Sequence, residues 1–289
     1  DLRHDFYRPG VAVRYRAGLT PEREVAAVDC RIAGPSLLDA IRPGARKGPD
    51  PTVVSGVLDD DAALGKVRIE YAAVDSPIPV GFWRAVGHSH NGFFKESFVD
   101  ELAYTAGEDP YQFRRRLLAG SRQLAALEAA ARAAKWEETP RTKGRGLGIA
   151  VVEAYDSVVA QVIEVAVRDS KLAIERVVAA VDCGLVLEPR NVEAQIMSAV
   201  VDGLSAALTG AITLANGAVV ESNFHDYPLL SLARTPPIEI VLVPSDAPPG
   251  GIGEAGLPPV AAALCNAIYA ATGQRVRRLP VLTNGLELA

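Results

Sequence analysis

Cysteine, tryptophan and methionine are scarce in this chain, with 3, 2 and 1 residues among 289. Cys30, Cys183 and Cys265 are far apart, so no pair has the close spacing of a structural zinc site. An iron–sulfur cluster usually takes four thiolates, which three cysteines do not supply. Their odd number suits reduced, buried thiols better than a disulfide framework. Basic runs are absent and the formal charge is -5, which argues against a nucleic-acid surface. No unbroken apolar stretch reaches the about 18 residues of a membrane-spanning helix. The nearest, residues 192–214, carries Glu193, Gln195 and Asp202 and reads as a buried helix with its exit turn. The chain opens on Asp1 without an initiator Met or a charged-then-apolar leader, so a processed product or part of a longer polypeptide is expected. Its compartment, whether bacterial cytoplasm or periplasm, is not legible in the residues.

What is present is enough for a sizeable core. Hydrophobic residues make up 49% and charged residues 22% of the chain, and the length suggests about two domains. Residues 11–16 and 24–32 read as a hairpin around Ala17 to Pro21, and residues 67–73 as a further strand. Phe94, Phe98, Leu102 and Ala106 recur at four-residue spacing, with Glu96, Asp100 and Glu101 off that stripe, which predicts an amphipathic helix. Asp109-Pro110 restarts a helix as N-cap and first turn, and residues 121–136, rich in Ala, Leu, Arg and Glu, form another. Residues 139–144 are the best candidate linker. Beyond them, residues 147–154, 158–168 and 172–181 predict an antiparallel meander, Pro189 opens a long helix, and residues 238–243 form a short strand. A last helix, residues 260–272, ends at Gly273. The mixed order of elements predicts an α+β fold in two subdomains, residues 1–140 and 141–289.

Four segments can carry chemistry. In Gly250-Gly251-Ile252-Gly253-Glu254-Ala255-Gly256 the glycines allow close backbone approach to a ligand, and one carboxylate sits at the centre as a candidate general base. The bland reading of the same residues is a surface turn with a solvated Glu. In Trp83-Arg84-Ala85-Val86-Gly87-His88-Ser89-His90-Asn91, donors gather at a loop-to-helix junction suited to an anion or oxo group. His88 and His90 could share a metal in a loop but diverge on a helix, and two His alone do not make a metal site. The plainer reading there is a cap at Ser89 and a core anchor at Trp83. In residues 181–195, Cys183 reads as a buried structural thiol, and Gln195 as either a cofactor contact or a helix-face hydrogen bond. Asn223 to Leu230, with Phe224, His225, Asp226 and Tyr227, suits a pocket wall or an irregular segment on the core.

In this order the four segments resemble the molybdopterin-binding subunit of the xanthine oxidase and aldehyde oxidase family, in its C-terminal part. Within that family the isoquinoline 1-oxidoreductase branch, in its beta subunit, is the most similar. The resemblance rests on Trp83 to Ser89 with Phe94, Glu96 to Phe98 and Asp100 to Ala103, on Val181 to Gly184 with Pro189 and Asn191 to Gln195, on Asn223 to Leu230, and on Gly251 to Glu254. It implies mixed helix and sheet molybdopterin-binding domains and oxidative hydroxylation of an N-heteroaromatic or aldehyde substrate, with water as oxygen source. Glu254 would be the catalytic base, and Trp83, Arg84, Ala85, Gly251, Ile252 and Gly253 would border the cofactor. The molybdenum would be held through the pterin, with no side-chain ligand, and the cytosine dinucleotide is one form the pterin could take. Iron–sulfur clusters would lie in a partner small subunit, and the remaining part of the large subunit would be a second partner. Two departures stand out. Many relatives carry Arg-Gly-Phe-Gly where this chain has Arg84-Ala85-Val86-Gly87, and the family's Gly-Gln-Gly cofactor motif is missing, so weak or no cofactor binding by the isolated chain is expected. The competing readings are a metal-free hydrolase or isomerase using Glu254, which lacks an evident partner group, and a non-catalytic assembly module.

Overall fold

A computed structural model of the chain describes residue 3, residues 5–57 and residues 64–289. Near the start, β1 (Ala12–Leu19) and β2 (Val25–Gly34) form the expected hairpin, with its turn at residues 20–24. Two short helices follow, α1 (Leu37–Ile41) and α2 (Pro51–Val54). Strand β3 (Lys66–Ala73) then pairs in parallel with β2, which makes a three-stranded sheet of order β1-β2-β3.

Three helices come next: α3 (Val86–Ala106), α4 (Pro110–Leu117) and α5 (Arg122–Ala133). Helix α4 starts as the sequence predicts, because Asp109 accepts from the Tyr111 and Gln112 N–H groups and Pro110 needs no partner at that position. Helix α3 differs from its predicted pattern. It begins well before Phe94, and it buries polar groups: Glu96 is 3% exposed and Asp100 2%. Arg114, 1% exposed, donates from Nε to Glu96 Oε2 at 2.9 Å, and that same oxygen accepts the Val151 N–H at 3.0 Å. Arg275 donates to Asp100 at 2.6 Å. Buried carboxylates are tolerated only with such partners, and these lie in other elements, so spacing along the helix could not signal them.

The second half builds the larger sheet. Strands β4 (Arg145–Ala154), β5 (Ser157–Arg168) and β6 (Lys171–Asp182) run antiparallel in sequence order, as the three apolar runs predict. After α6 (Pro189–Leu208) and the small hairpin β7–β8 (Leu214–Ala215 and Ala218–Val219), β9 (Ile238–Leu242) pairs in parallel with β6. Helix α7 (Pro258–Thr272) ends at Gly273, whose φ is 78°, and β10 (Glu287–Leu288) joins the start of β6.

Both faces of this sheet are covered. Val159, Ile163, Val177, Ala179 and Val181 face α6 and α7 in one core, while Val158, Ala160, Val162, Val178 and Ala180 face α5 in another. Two buried faces explain why these strands read as near-continuous apolar runs without a polar alternation. The small sheet packs on α3 and α4 through Val28, Val99, Leu102 and Phe113. Tyr15 stacks on Phe98 with ring centroids 4.9 Å apart. All three cysteines are free and buried, as their odd number suggests.

Helix α7 lies directly on β4. A Cβ added at Gly148 would stand 2.1 Å from the Ala263 carbonyl oxygen and 2.2 Å from the Ala267 nitrogen. Gly148→Ala must therefore push the helix off the sheet, with an expected loss of about 3 kcal/mol or more. Gly10→Ala, where nothing lies within 4 Å, is expected to stay within about 0.5 kcal/mol of wild type. Thermal unfolding of the two variants checks the contrast, and equal stability would contradict backbone contact as the reason for the glycine.

Candidate active site

The loop before α7 meets the segment before α3. Ala85, the residue that precedes α3, has φ 70°, and Val86 has φ 45°, a left-handed pair without glycine. That turn aims the Ala85 N–H at Glu254, whose Oε2 accepts it at 3.0 Å. Ser89 is not the cap: its hydroxyl donates to the Val86 carbonyl, inside the helix. His88 and His90 both lie on α3, where side chains two residues apart diverge. Burial lowers His90 to about 4, and its Nε2 lies 2.8 Å from the Val53 carbonyl oxygen. The His90 Nε2 is thus taken up by backbone.

Arg84 ties the loop to α6. Its Nε and Nη2 donate to the Gly253 carbonyl at 2.9 and 2.5 Å, and its Nη1 donates to Ser198 Oγ and Asp202 Oδ2 at 3.0 Å each. Longer contacts at 3.4 and 3.5 Å reach the Gln195 carbonyl and Gln195 Oε1, so Gln195 serves as a helix-face partner. The guanidinium thus spends its fork geometry on the protein itself. Trp83 is half-buried against Ala85, Ala199 and Leu257, and the Arg8 guanidinium lies over its ring at 4.4 Å.

On the other side the loop leans on the β4–β5 hairpin. The Gly251 N–H donates to the Tyr155 carbonyl at 2.7 Å, and the Gly250 N–H to that of Cys183 at 2.9 Å. A Cβ at Gly250 would stand 2.4 Å from the Asp156 carbonyl oxygen, so glycine is needed for the approach. Ile252 packs partly onto the core, whereas Gly253 is exposed with nothing within 4 Å of an added Cβ. Of the residues expected at the site, Ala85 meets Glu254 and Arg84 meets Gly253. Gly251 and Ile252 anchor the loop from beneath.

Two features of the site carry no signal in the sequence. Burial, together with the negative charge of Glu254, raises the Tyr155 phenol well above its ordinary value. Its ring sits at 5.3 Å, tilted, from that of His88. In sequence Tyr155-Asp156 marks only a turn between two strand-length runs. The second is Arg122, which grips Asp182 from Nε and Nη2 at 2.6 Å each and donates to the Asp156 carbonyl at 2.8 Å. Burial pushes the Asp182 carboxyl up, but Arg122, the Gly184 N–H and Ser245 outweigh it, and the group sits below its ordinary value. Asn223 to Leu230 is irregular, with Phe224 and Leu229 exposed.

This fold occurs in solved oxidoreductases. The chain superposes on quinoline 2-oxidoreductase from Pseudomonas putida 86 with a TM-score of 0.79, covering 97% of this chain and 62% of that one at 12% identity. It superposes on the aldehyde oxidoreductase from Desulfovibrio desulfuricans with a TM-score of 0.74, covering 96% of this chain and 49% of that one at 14% identity. In sequence, residues 152–236 match the molybdopterin cofactor-binding domain. The chain is 32% identical to the beta subunit of isoquinoline 1-oxidoreductase from Brevundimonas diminuta, over 97% of its own length and 37% of that relative's. With a subunit of nicotinate dehydrogenase from Pseudomonas putida it shares 31% identity over 94% of this chain and 25% of that relative. The chain therefore belongs with the molybdopterin-binding subunits of the xanthine oxidase and aldehyde oxidase family, and it spans between a quarter and two fifths of the length of these two relatives.

Arg84→Met removes every tie from the guanidinium to Gly253 and α6. Hydrogen exchange at the amides of residues 250–254 is then expected to speed up about tenfold or more, while β4–β6 keep their protection. Unchanged exchange in the loop would show that Arg84 does not hold it.

Proposed function

We propose that this chain is part of a molybdenum hydroxylase large subunit that hydroxylates an N-heteroaromatic or aldehyde substrate, with Glu254 as the base. The observation that carries this reading is the Glu254 carboxylate itself, partly exposed, held by the Ala85 N–H, and bordered by open space at Gly253. The names of the relatives support it: isoquinoline 1-oxidoreductase and nicotinate dehydrogenase act on N-heteroaromatic rings by name, and other matches are named aldehyde oxidoreductases.

The residues suit a pterin-held metal centre that asks for no side-chain ligand. Among the described residues, no group of three or more His, Cys, Asp or Glu could hold a metal by itself. Trp83, Arg84, Ala85, Gly251, Ile252 and Gly253 would border the cofactor. Arg84 and Ile252 would do so mainly through backbone, because their side chains are engaged elsewhere. When bound, the molybdopterin cofactor, in whichever nucleotide form, supplies the two-electron oxidation of the substrate carbon. Glu254 accepts a proton at its carboxylate as water-derived oxygen is transferred. The Ala85 N–H fixes the orientation of that carboxylate, and Arg84 fixes the peptide on its N-terminal side. The reading includes an iron–sulfur small subunit to take the electrons and the remaining part of the large subunit to complete the cofactor site. It also includes two subdomains, residues 1–140 and 141–289, joined at residues 139–144.

A hydrolase built on Glu254 is not favoured. The nearby thiol, Cys183, is raised above its ordinary value by burial, the opposite of an activated nucleophile.

In the complete complex, bound molybdenum measured by plasma mass spectrometry is expected near one per large subunit for wild type and for Glu254→Gln alike. Turnover of a heteroaromatic or aldehyde should fall at least about 100-fold in the variant. A wild-type complex without molybdenum would overturn the proposal.

A further inference from the structure

A cavity of about 790 Å³ lies where residues 5–11, one face of α3, the end of α6 and residues 277–280 meet. Its walls are rich in rings: Trp83, Phe93, Phe94 and Tyr227 line it, and His90 adds a ring that burial keeps neutral. Arg8 stands among them. Its guanidinium lies over the Trp83 ring at 4.4 Å, and burial lowers it to about 10, so it keeps its charge at neutral pH where water hydrates it poorly. Among the described residues no carboxylate pairs with it and no acceptor takes its side-chain N–H groups. Asp5, the acid of the lining, accepts from the Phe6 N–H instead. Arg277 also lines the cavity, but Glu101 holds it, and Arg278 is exposed.

Stacking on Trp83 engages the face of the guanidinium and leaves free its in-plane N–H groups, the fork that matches a carboxylate. A poorly hydrated cation without a counter-charge is costly, and a perturbed group of this kind in a cleft marks a candidate site. Arg84, Arg114 and Arg122 each end on a carboxylate within the chain, whereas Arg8 ends on a ring and open space. We propose that this cavity binds an aromatic carboxylate, its acid group taken by the Arg8 fork and its ring by Phe93, Phe94 and Tyr227. The volume suits a molecule of one or two rings. A phosphate dianion would ask for a second free cation beside Arg8, and Arg277 is engaged with Glu101. An acidic side chain from the rest of the large subunit would bring the charge but leave the rings uncovered. Glu254 is not among the lining residues, so this site stands apart from the candidate base and does not depend on it.

The test is equilibrium dialysis of the complete complex against naphthalene-2-carboxylate, with the neutral naphthalene-2-carboxamide as control. The acid is expected to bind saturably with a Kd below about 1 mM, and the amide at least about tenfold more weakly. Arg8→Met should weaken the acid at least about tenfold and leave the amide unchanged, which shows that the cavity keeps its shape. Arg8→Lys, which keeps the charge but not the fork, should fall between wild type and Arg8→Met. Glu254→Gln should bind the acid as wild type does, whatever becomes of turnover, so failure of the base reading would leave this result unmoved. No binding to the complete complex, the result expected if the rest of the large subunit fills the cavity, would overturn the proposal. Equal affinity for acid and amide, or undiminished acid binding by Arg8→Met, would overturn it as well. Loss of binding in Glu254→Gln would do the same, because the ligand would then sit at Glu254. If Arg8→Met loses both ligands, Arg8→Lys decides, and wild-type affinity for the acid there would contradict recognition by the fork.

Discussion

Backbone contact between α7 and β4 is the constraint on which the candidate site depends. Gly146 and Gly148 remove the side chains that would hold the helix away, and α7 settles so closely that an added Cβ at Gly146 would stand 2.2 Å from the Ala267 carbonyl oxygen. The N-terminus of α7 carries the Glu254 loop, so the depth of that helix on the sheet sets the height of the carboxylate above the β4–β5 hairpin. Helix α3 is drawn to the same place, since a Cβ at its Gly92 would meet the Pro258 carbonyl oxygen at 2.7 Å. The start of α3 and the start of α7 are thereby held side by side, and the Ala85 N–H can reach Glu254.

The polar contacts around the loop refine what this packing fixes. Arg84 pulls on Gly253 from the α6 side, and the hairpin tip receives Gly251 from the other. Ala85, Val86, Tyr155 and Asp156, all at positive φ, lie in the two segments that hold the loop. Strain held in those two segments suits a pre-set site, because a carboxylate that had to be reoriented during each turnover would lose part of the benefit of its placement.

Much of this was legible in the residues. Strands β4 to β6 stood out because Tyr155-Asp156-Ser157 and Asp169-Ser170-Lys171 interrupt three apolar runs. Asp109-Pro110, Pro189 and Gly273 marked helix ends by their own chemistry. Glu254 stood out as a lone carboxylate among glycines. The interior of α3 was not legible, because Glu96 is satisfied by Arg114 and Val151, and Asp100 by Arg275, 175 residues away. The role of Arg84 was hidden for the same reason. A guanidinium before a helix suggests a ligand, and only the approach of α6 and the glycine loop shows that its donors are already in use.

The most direct measurement is anomalous diffraction at the molybdenum edge from crystals of the complete complex. The expected result is one molybdenum peak per large subunit, within about 5 Å of the Glu254 carboxylate, close enough for its first ligands to meet that base at hydrogen-bond distance. A metal peak remote from Glu254, with the carboxylate still held by Ala85, would contradict the assignment of this loop as the base-bearing side of the cofactor site.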